Sequence, residues 1–288
     1  MRIVLLALIG VLSSGQQLPP LLAEGRQDVA IVDLRSGLPV TAEQLVEELA
    51  GADRVLVGER HDNPDHHALQ RWLLEALAQH RQPGSLLLEM LNPDQQERVN
   101  AVRLGLEKGH MPVDLPDALD WQPGWDWSLY GELVEYALHQ PGSLLAANLD
   151  RSEIIDIYRN PQPLSGLHSN APAVLAVLEQ QIRESHCGML PDSQVVPMRV
   201  VQQQLDRRMA ERLLAAPEPA VLFAGSFHVR ADLGVPLHLQ DLGGPGTTRV
   251  LILSEEGVEV NASQADFVWR TPARPAIDFC DEWRQRGG

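Results

Sequence analysis

The chain has 288 residues, 44% of them hydrophobic, and a formal net charge of −16. That composition lies outside the disordered range and supplies enough apolar side chain for one large core. With Lys108 as the only lysine and acids in such excess, it argues against a nucleic-acid backbone as partner, because phosphate neutralisation needs clustered Lys and Arg.

Arg2 followed by the apolar run to Leu12 is too short to span a bilayer and, with Ser13, Ser14 and Gly15 behind it, has the pattern of a secretory signal. Residues 1–23 are therefore assigned as a signal peptide, and the chain from 24 to 288 is expected as a periplasmic domain. A lipoprotein signal needs a Cys just after such a run, where this chain has Gly15-Gln16-Gln17, so no lipid anchor is expected. Six short apolar runs follow: Val29 to Leu34, Arg54 to Val57, Ser85 to Leu88, Ser143 to Ala147, Ala220 to Ala224 and Arg249 to Leu253. Most are continuous rather than alternating, as in strands buried on both faces of a parallel sheet. Between them Thr41-Ala-Glu-Gln44 reads as a capping box for a helix to Ala50. Asn63-Pro64 opens a helix to His80 with Leu69, Leu73, Leu74 and Leu77 on one stripe. Further helices are expected over Asp94 to Lys108 and Tyr130 to His139.

This alternation predicts an α/β fold, a mostly parallel sheet flanked by helices. It breaks between residues 152 and 216, where helical patterns at Glu153 to Arg159, Ala171 to Glu184 and Pro197 to Leu214 have no strand among them. That stretch reads as a smaller inserted helical subdomain, with Pro161-Gln-Pro163 and Pro217-Glu-Pro219 as hinges. An exported chain enters a compartment where disulfides persist. Cys187 and Cys280 are thus permitted a bridge, but their spacing does not say whether they meet.

The chemistry gathers at strand ends. In an open α/β sheet ligands bind beyond the carboxyl ends of the strands. Here the Arg54 run ends in Gly58-Glu59-Arg60-His61, the Ser85 run in Glu89, the Ser143 run in Asn148 and the Ala220 run in Gly225-Ser226-Phe227-His228. Any one of these polar residues suits a cap or turn. Four together predict a crevice in which buried carboxylates find imidazole partners. His66 and His67 fit the first turn of a surface helix, and the free N–H groups behind Asn63 suit an anion.

These motifs, with His67 and Gln70 on the following helix, Ala147-Asn148-Leu149 and Arg230, resemble the ChaN family of haem-binding bacterial proteins. That family stands in a superfamily with the erythromycin esterases and the Tiki and TraB-like proteins. The resemblance covers nearly the whole mature chain, including Trp121 and Gly124-Trp125. It implies a parallel sheet with a small helical domain, a role in haem or iron uptake at the envelope, and haem held by a Tyr ligand at a homodimer interface. Two departures stand out: the lipobox Cys is absent, and Phe227 occupies a position where a small residue is expected, which narrows the crevice.

Tyr130, Tyr136 and Tyr158 are the candidate axial ligands. Tyr158 shares a helix face with Ile154 and Ile155 at the entrance to the helical insertion, where a ligand pocket between two lobes is expected. Arg151, Arg159, Lys108 and His168 are candidates for the propionates. The competing reading is a hydrolase with Glu59, His61, Glu89 and His228 as its catalytic set. Glu59, His61 and His228 would then hold a divalent metal, or His61 would act as base, oriented by Glu59 or Glu89. Trp121, Trp125 and Trp127 read as a packed loop cover.

Overall fold

The computed structural model describes residues 31–275 and Cys280; the assigned secretory signal lies outside the described residues. One eight-stranded sheet is built from β1 (Ile31–Asp33), β2 (Leu38–Pro39), β3 (Arg54–Glu59), β4 (Ser85–Leu88), β5 (Ser143–Ala146), β6 (Ala220–Gly225), β7 (Thr248–Glu255) and β8 (Phe267–Thr271). Their order is β2-β1-β8-β7-β3-β6-β4-β5. Every neighbouring pair from β8 to β5 is parallel, and β1 runs antiparallel to both β2 and β8. The α/β class is as expected, and all six apolar runs contribute strands. β8 is an addition: Phe267-Val-Trp-Arg-Thr271 is β-branched and aromatic, but it follows β7 without the intervening helix that usually marks a parallel crossover.

Ten α-helices accompany the sheet among the described residues: α1 (Ala42–Ala50), α2 (Pro64–His80), α3 (Gln96–Glu107), α4 (Leu115–Leu119), α5 (Trp127–Leu138), α6 (Arg151–Arg159), α7 (Pro172–Ser185), α8 (Asp192–Ala215), α9 (Ser226–Val229) and α10 (Val235–Asp241). Successive side chains of a strand point to opposite faces. Val55 and Val57 accordingly join Leu45, Leu73 and Val134 in one core, while Leu56 joins Met209, Leu213 and Leu239 in the other. The capping box of Thr41 and Gln44 is formed. None of the helices among the described residues is long and apolar enough to cross a membrane.

Residues 152–216 hold α6, α7 and α8 and no strand. α8 starts at Asp192, so Pro197 lies inside it rather than at its first turn, and its C-terminal half is part of the sheet's own core. The segment Pro217 to Pro219, read as a hinge, is bonded to the sheet at the starts of β3 and β4. Ser85 Oγ donates to the Pro217 carbonyl at 2.8 Å, the Gly84 N–H to the Pro219 carbonyl at 2.8 Å, and Arg54 pairs with Glu218 at 2.5 Å. Cys187 and Cys280 do meet: they form a disulfide with a Cα–Cα distance of 5.6 Å.

Candidate functional site

Strand order decides which termini share a crevice. β3, β6, β4 and β5 are consecutive neighbours, so Glu59, the Gly225 turn, Glu89 and Asn148 emerge side by side. Gly225 pairs in register with Glu59. Chain reversal after β6 forms α9, which rests directly on β3. A Cβ on Gly58 would lie 2.5 Å from Val229 Cγ2 and 2.8 Å from Ser226 Cα, so only glycine admits this approach. Ser226 Oγ donates to the Glu59 carbonyl at 3.0 Å. His228 is thereby turned inward, and it is buried.

Two imidazole–carboxylate pairs face one another across Glu89. In the first, His61 Nδ1 lies 2.6 Å from Glu59 Oε1, which also accepts from the Tyr130 hydroxyl at 3.0 Å. In the second, His228 Nδ1 lies 2.5 Å from Asp206 Oδ1. The Nε2 atoms of His228 and His61 sit 3.4 and 3.9 Å from Glu89 Oε1, while Glu89 Oε2 accepts the Gly225 N–H at 2.7 Å. Asn148 does not enter the ring of charges; its Nδ2 donates to the Glu89 carbonyl at 2.6 Å and fixes that backbone.

Burial and charge compete here, and the geometry shows which wins. Burial alone would raise Glu89, but the charge and hydrogen bond of His228, the nearby His61 and the Gly225 N–H hold its carboxyl down at about 2. Burial would lower His228, yet Glu89 and Asp206 on either side raise it well above the ordinary imidazole value. Asp206 is fully buried and pushed up to about 6 by that burial and by Glu89, against the pull of His228. A paired aspartate ordinarily falls rather than rises. Both shifts nevertheless describe one fact: the Glu89–His228–Asp206 trio holds its proton tightly. His61 is also raised, since Glu59 and Glu89 outweigh its desolvation. Tyr130 is raised by burial and the Glu59 charge, and so remains a protonated donor.

Several neighbours serve position. His66 and His67 are buried, contrary to a surface first turn. His66 Nδ1 accepts the Arg60 N–H at 2.9 Å, and burial drops its pKa to about 3. His67 Nε2 donates to the His61 carbonyl at 2.9 Å and its ring meets Tyr130 edge-on at 4.3 Å. The N-terminus of α2 offers no free anion site, because Asn63 Oδ1 already accepts from Asp65 and His66 N–H groups. Trp125 packs edge-on against His61 at 4.9 Å and Trp121 against Trp127 at 5.0 Å, so the tryptophan loop is a cover.

Above this floor lies a cavity of about 480 Å³, lined by Glu59, His61, His228 and Phe227 with apolar Ile252 and Val260. His61 stands at its mouth with its side chain 43% exposed, whereas Glu89 and Asp206 are beneath. Among the described residues no group of three or more His, Cys, Asp or Glu side chains is arranged to hold a metal ion. The Glu59, His61 and His228 set forms no such group; each imidazole turns Nδ1 to a carboxylate of its own and Nε2 toward Glu89.

A second cleft, about 630 Å³, opens between α6, α7 and α8. Tyr158 lines it with Ile154, Ile155 and Arg159 from α6, and His186 and Met198 face them. Gln181 and Gln202 belong to both cavities, and Gln202 Nε2 lies 3.0 Å from His228 Nδ1, so the cleft and the crevice adjoin. Of the other propionate candidates, His168 and Lys108 line neither cavity. The His168 N–H is given to Asp241, and Lys108 caps the far end of α3. Tyr130 lies in the crevice rather than the cleft. Asp206 and His186 were not singled out from sequence.

The family model described as haem-binding uptake, Tiki superfamily, ChaN matches residues 45–239. The chain belongs to this family. Among solved structures it is similar to ChaN of Campylobacter jejuni, described as binding haem cofacially, with 30% identity over 85% of this chain and 97% of that one and a TM-score of 0.78. An erythromycin esterase, EreC, in its open conformation matches at 14% identity over 83% of this chain and 81% of that one, TM-score 0.44. RRSP, a MARTX toxin effector domain from Vibrio vulnificus, matches at 14% over 83% and 39%, TM-score 0.45. No curated protein sequence matches. The strand-end crevice and the Tyr158 cleft adjoin in this chain.

Proposed function

We propose that this chain is a periplasmic haem-binding protein of haem or iron uptake, and that it holds haem in the Tyr158 cleft. The observation that carries the reading is a phenol on an apolar wall inside a cleft of ligand size, in a chain of a haem-binding family. Ferric haem accepts a tyrosine oxygen as axial ligand. Tyr158 would supply that oxygen, Ile154, Ile155 and Met198 would cover the porphyrin face, and Arg159 and His186 at the rim would meet the propionates. The cleft opens between α6, α7 and α8, with Ile155 37% exposed, a placement that suits closure by a second copy into a homodimer on haem binding. Hemin titration followed by absorbance, with sedimentation of the same samples, tests the reading. Saturable binding with a shift from monomer to dimer is expected; absence of binding would overturn it.

A second reading concerns the crevice. His61, paired with Glu59 and 3.9 Å from Glu89, lines the 480 Å³ cavity, an arrangement suited to general-base hydrolysis. Release of chromophore from activated esters that depends on His61 would support it, and equal release by His61→Ala would dismiss it.

A further inference from the structure

Cys187 sits in the turn between α7 and α8 with φ +60° and is bonded to Cys280, 93 residues away and beyond β8. Among the described residues, helix α7 is held mainly through α8. Only Leu178 and Ile182 of its side chains are buried. Its ion pairs, Glu179 with Arg199 at 2.9 Å and Arg183 with Asp192, run to α8 alone. Yet α7 and its turn supply Gln181, Ile182, Ser185 and His186 to the wall of the Tyr158 cleft, and Gln181 to the crevice as well. A short helix with two buried side chains is marginal by itself, and segments with few buried contacts open locally at small free-energy cost. Both half-cystines are partly exposed, so a reductant can reach them.

We propose that the Cys187–Cys280 disulfide is a redox latch on the ligand cleft: oxidised, it pins α7 as the cleft wall, and reduced, it frees α7 so that the cleft lets its ligand go. The inference rests on the reading of the Tyr158 cleft as the haem site and adds its regulation. The reductant is a dithiol. One of its thiolates attacks a sulfur of the disulfide, the S–S bond breaks and a mixed disulfide forms. The second thiolate then resolves that bond, so two electrons and two protons pass to the protein as two thiols and the dithiol leaves oxidised.

The test compares three forms of the full chain: oxidised, reduced with dithiothreitol and alkylated with iodoacetamide, and the double variant Cys187→Ser with Cys280→Ser. Thermal melting by circular dichroism checks that each is folded, and the alkylated protein stands in if the double variant is not. Hemin loss to excess apomyoglobin should be at least about tenfold faster in both unlatched forms, a loosening of about 1.4 kcal/mol by the tenfold rule. Without hemin, amide exchange should rise in residues 172–191 and stay unchanged in the sheet. Loss rates within twofold of one another would overturn the latch. If even the oxidised protein fails to hold hemin, the haem reading falls, and the exchange measurement decides the latch alone: unchanged exchange in residues 172–191 refutes it, and faster exchange there supports it.

Discussion

Replacing His228 by leucine tests the buried charge network most sharply. The imidazole stands between Glu89 and Asp206, 3.4 Å from one carboxylate and 2.5 Å from the other, and both acids are buried. His228→Leu conserves bulk but leaves two carboxylates with no cation between them. Removing one partner of a buried pair costs about 3–5 kcal/mol, because the stranded charge is not rehydrated. The cost must depend on pH. Without His228, burial and mutual repulsion raise both folded-state carboxyl pKa values above their unfolded ones. A group so raised destabilises the fold above its folded pKa, and the penalty fades as pH falls toward the unfolded value near 4. In the unmodified protein Glu89 has the opposite sign: its folded value of about 2 contributes stability that is lost only as pH falls below the ordinary 4.5. Urea unfolding at pH 7.5 and pH 5 should therefore show a deficit of about 3–5 kcal/mol at the higher pH that shrinks by 1 kcal/mol or more at the lower. A deficit below about 1 kcal/mol, or one equal at both pH values, would refute the network as described.

Tyr130→Phe removes a hydroxyl that donates to the buried Glu59; a loss of about 1.5–3 kcal/mol is expected by chemical denaturation, the range for a hydrogen bond to a charged group. Gly58→Ala places a Cβ against the Ser226 backbone and should cost about 1–3 kcal/mol as overpacking. Gly225→Ala presses chiefly on the far end of His61, at 2.9 Å, with Glu89 Oε2 at 3.6 Å, and should displace that ring with a smaller stability loss, visible as a changed His61 titration by NMR. In a Gram-negative host, intact mass of the periplasmic fraction should show a chain beginning beyond Gly15 without added lipid; retained Met1 would contradict export.

How much of this was legible in sequence follows from burial pattern. Strands covered on both faces must be aliphatic throughout, so their polar ends at Glu59, Glu89, Asn148 and His228 stand out, and those ends are what the sheet brings together. Asp206 did not stand out, because a helix packed against both a sheet and other helices mixes polar and apolar residues on every face. The available signal was its place on the stripe of Gln203, Asp206, Ala210 and Leu213, all buried. Tyr130 could be read as a ligand candidate but not as the partner of Glu59, since 71 residues separate them. Lys108 and His168 suit propionates by their chemistry, which says nothing of distance, whereas His186 reaches the Tyr158 cleft through the pairing of α7 with α8.

In the proposed reading Tyr158, and not the crevice, carries haem. Tyr158→Phe keeps the ring in the cleft and removes its phenol oxygen, so the visible spectrum of the hemin complex reports on that ligand directly. The unmodified protein and His61→Ala should both show ferric-tyrosinate charge transfer, and Tyr158→Phe should lack it. An unchanged spectrum and affinity in Tyr158→Phe would contradict the assignment.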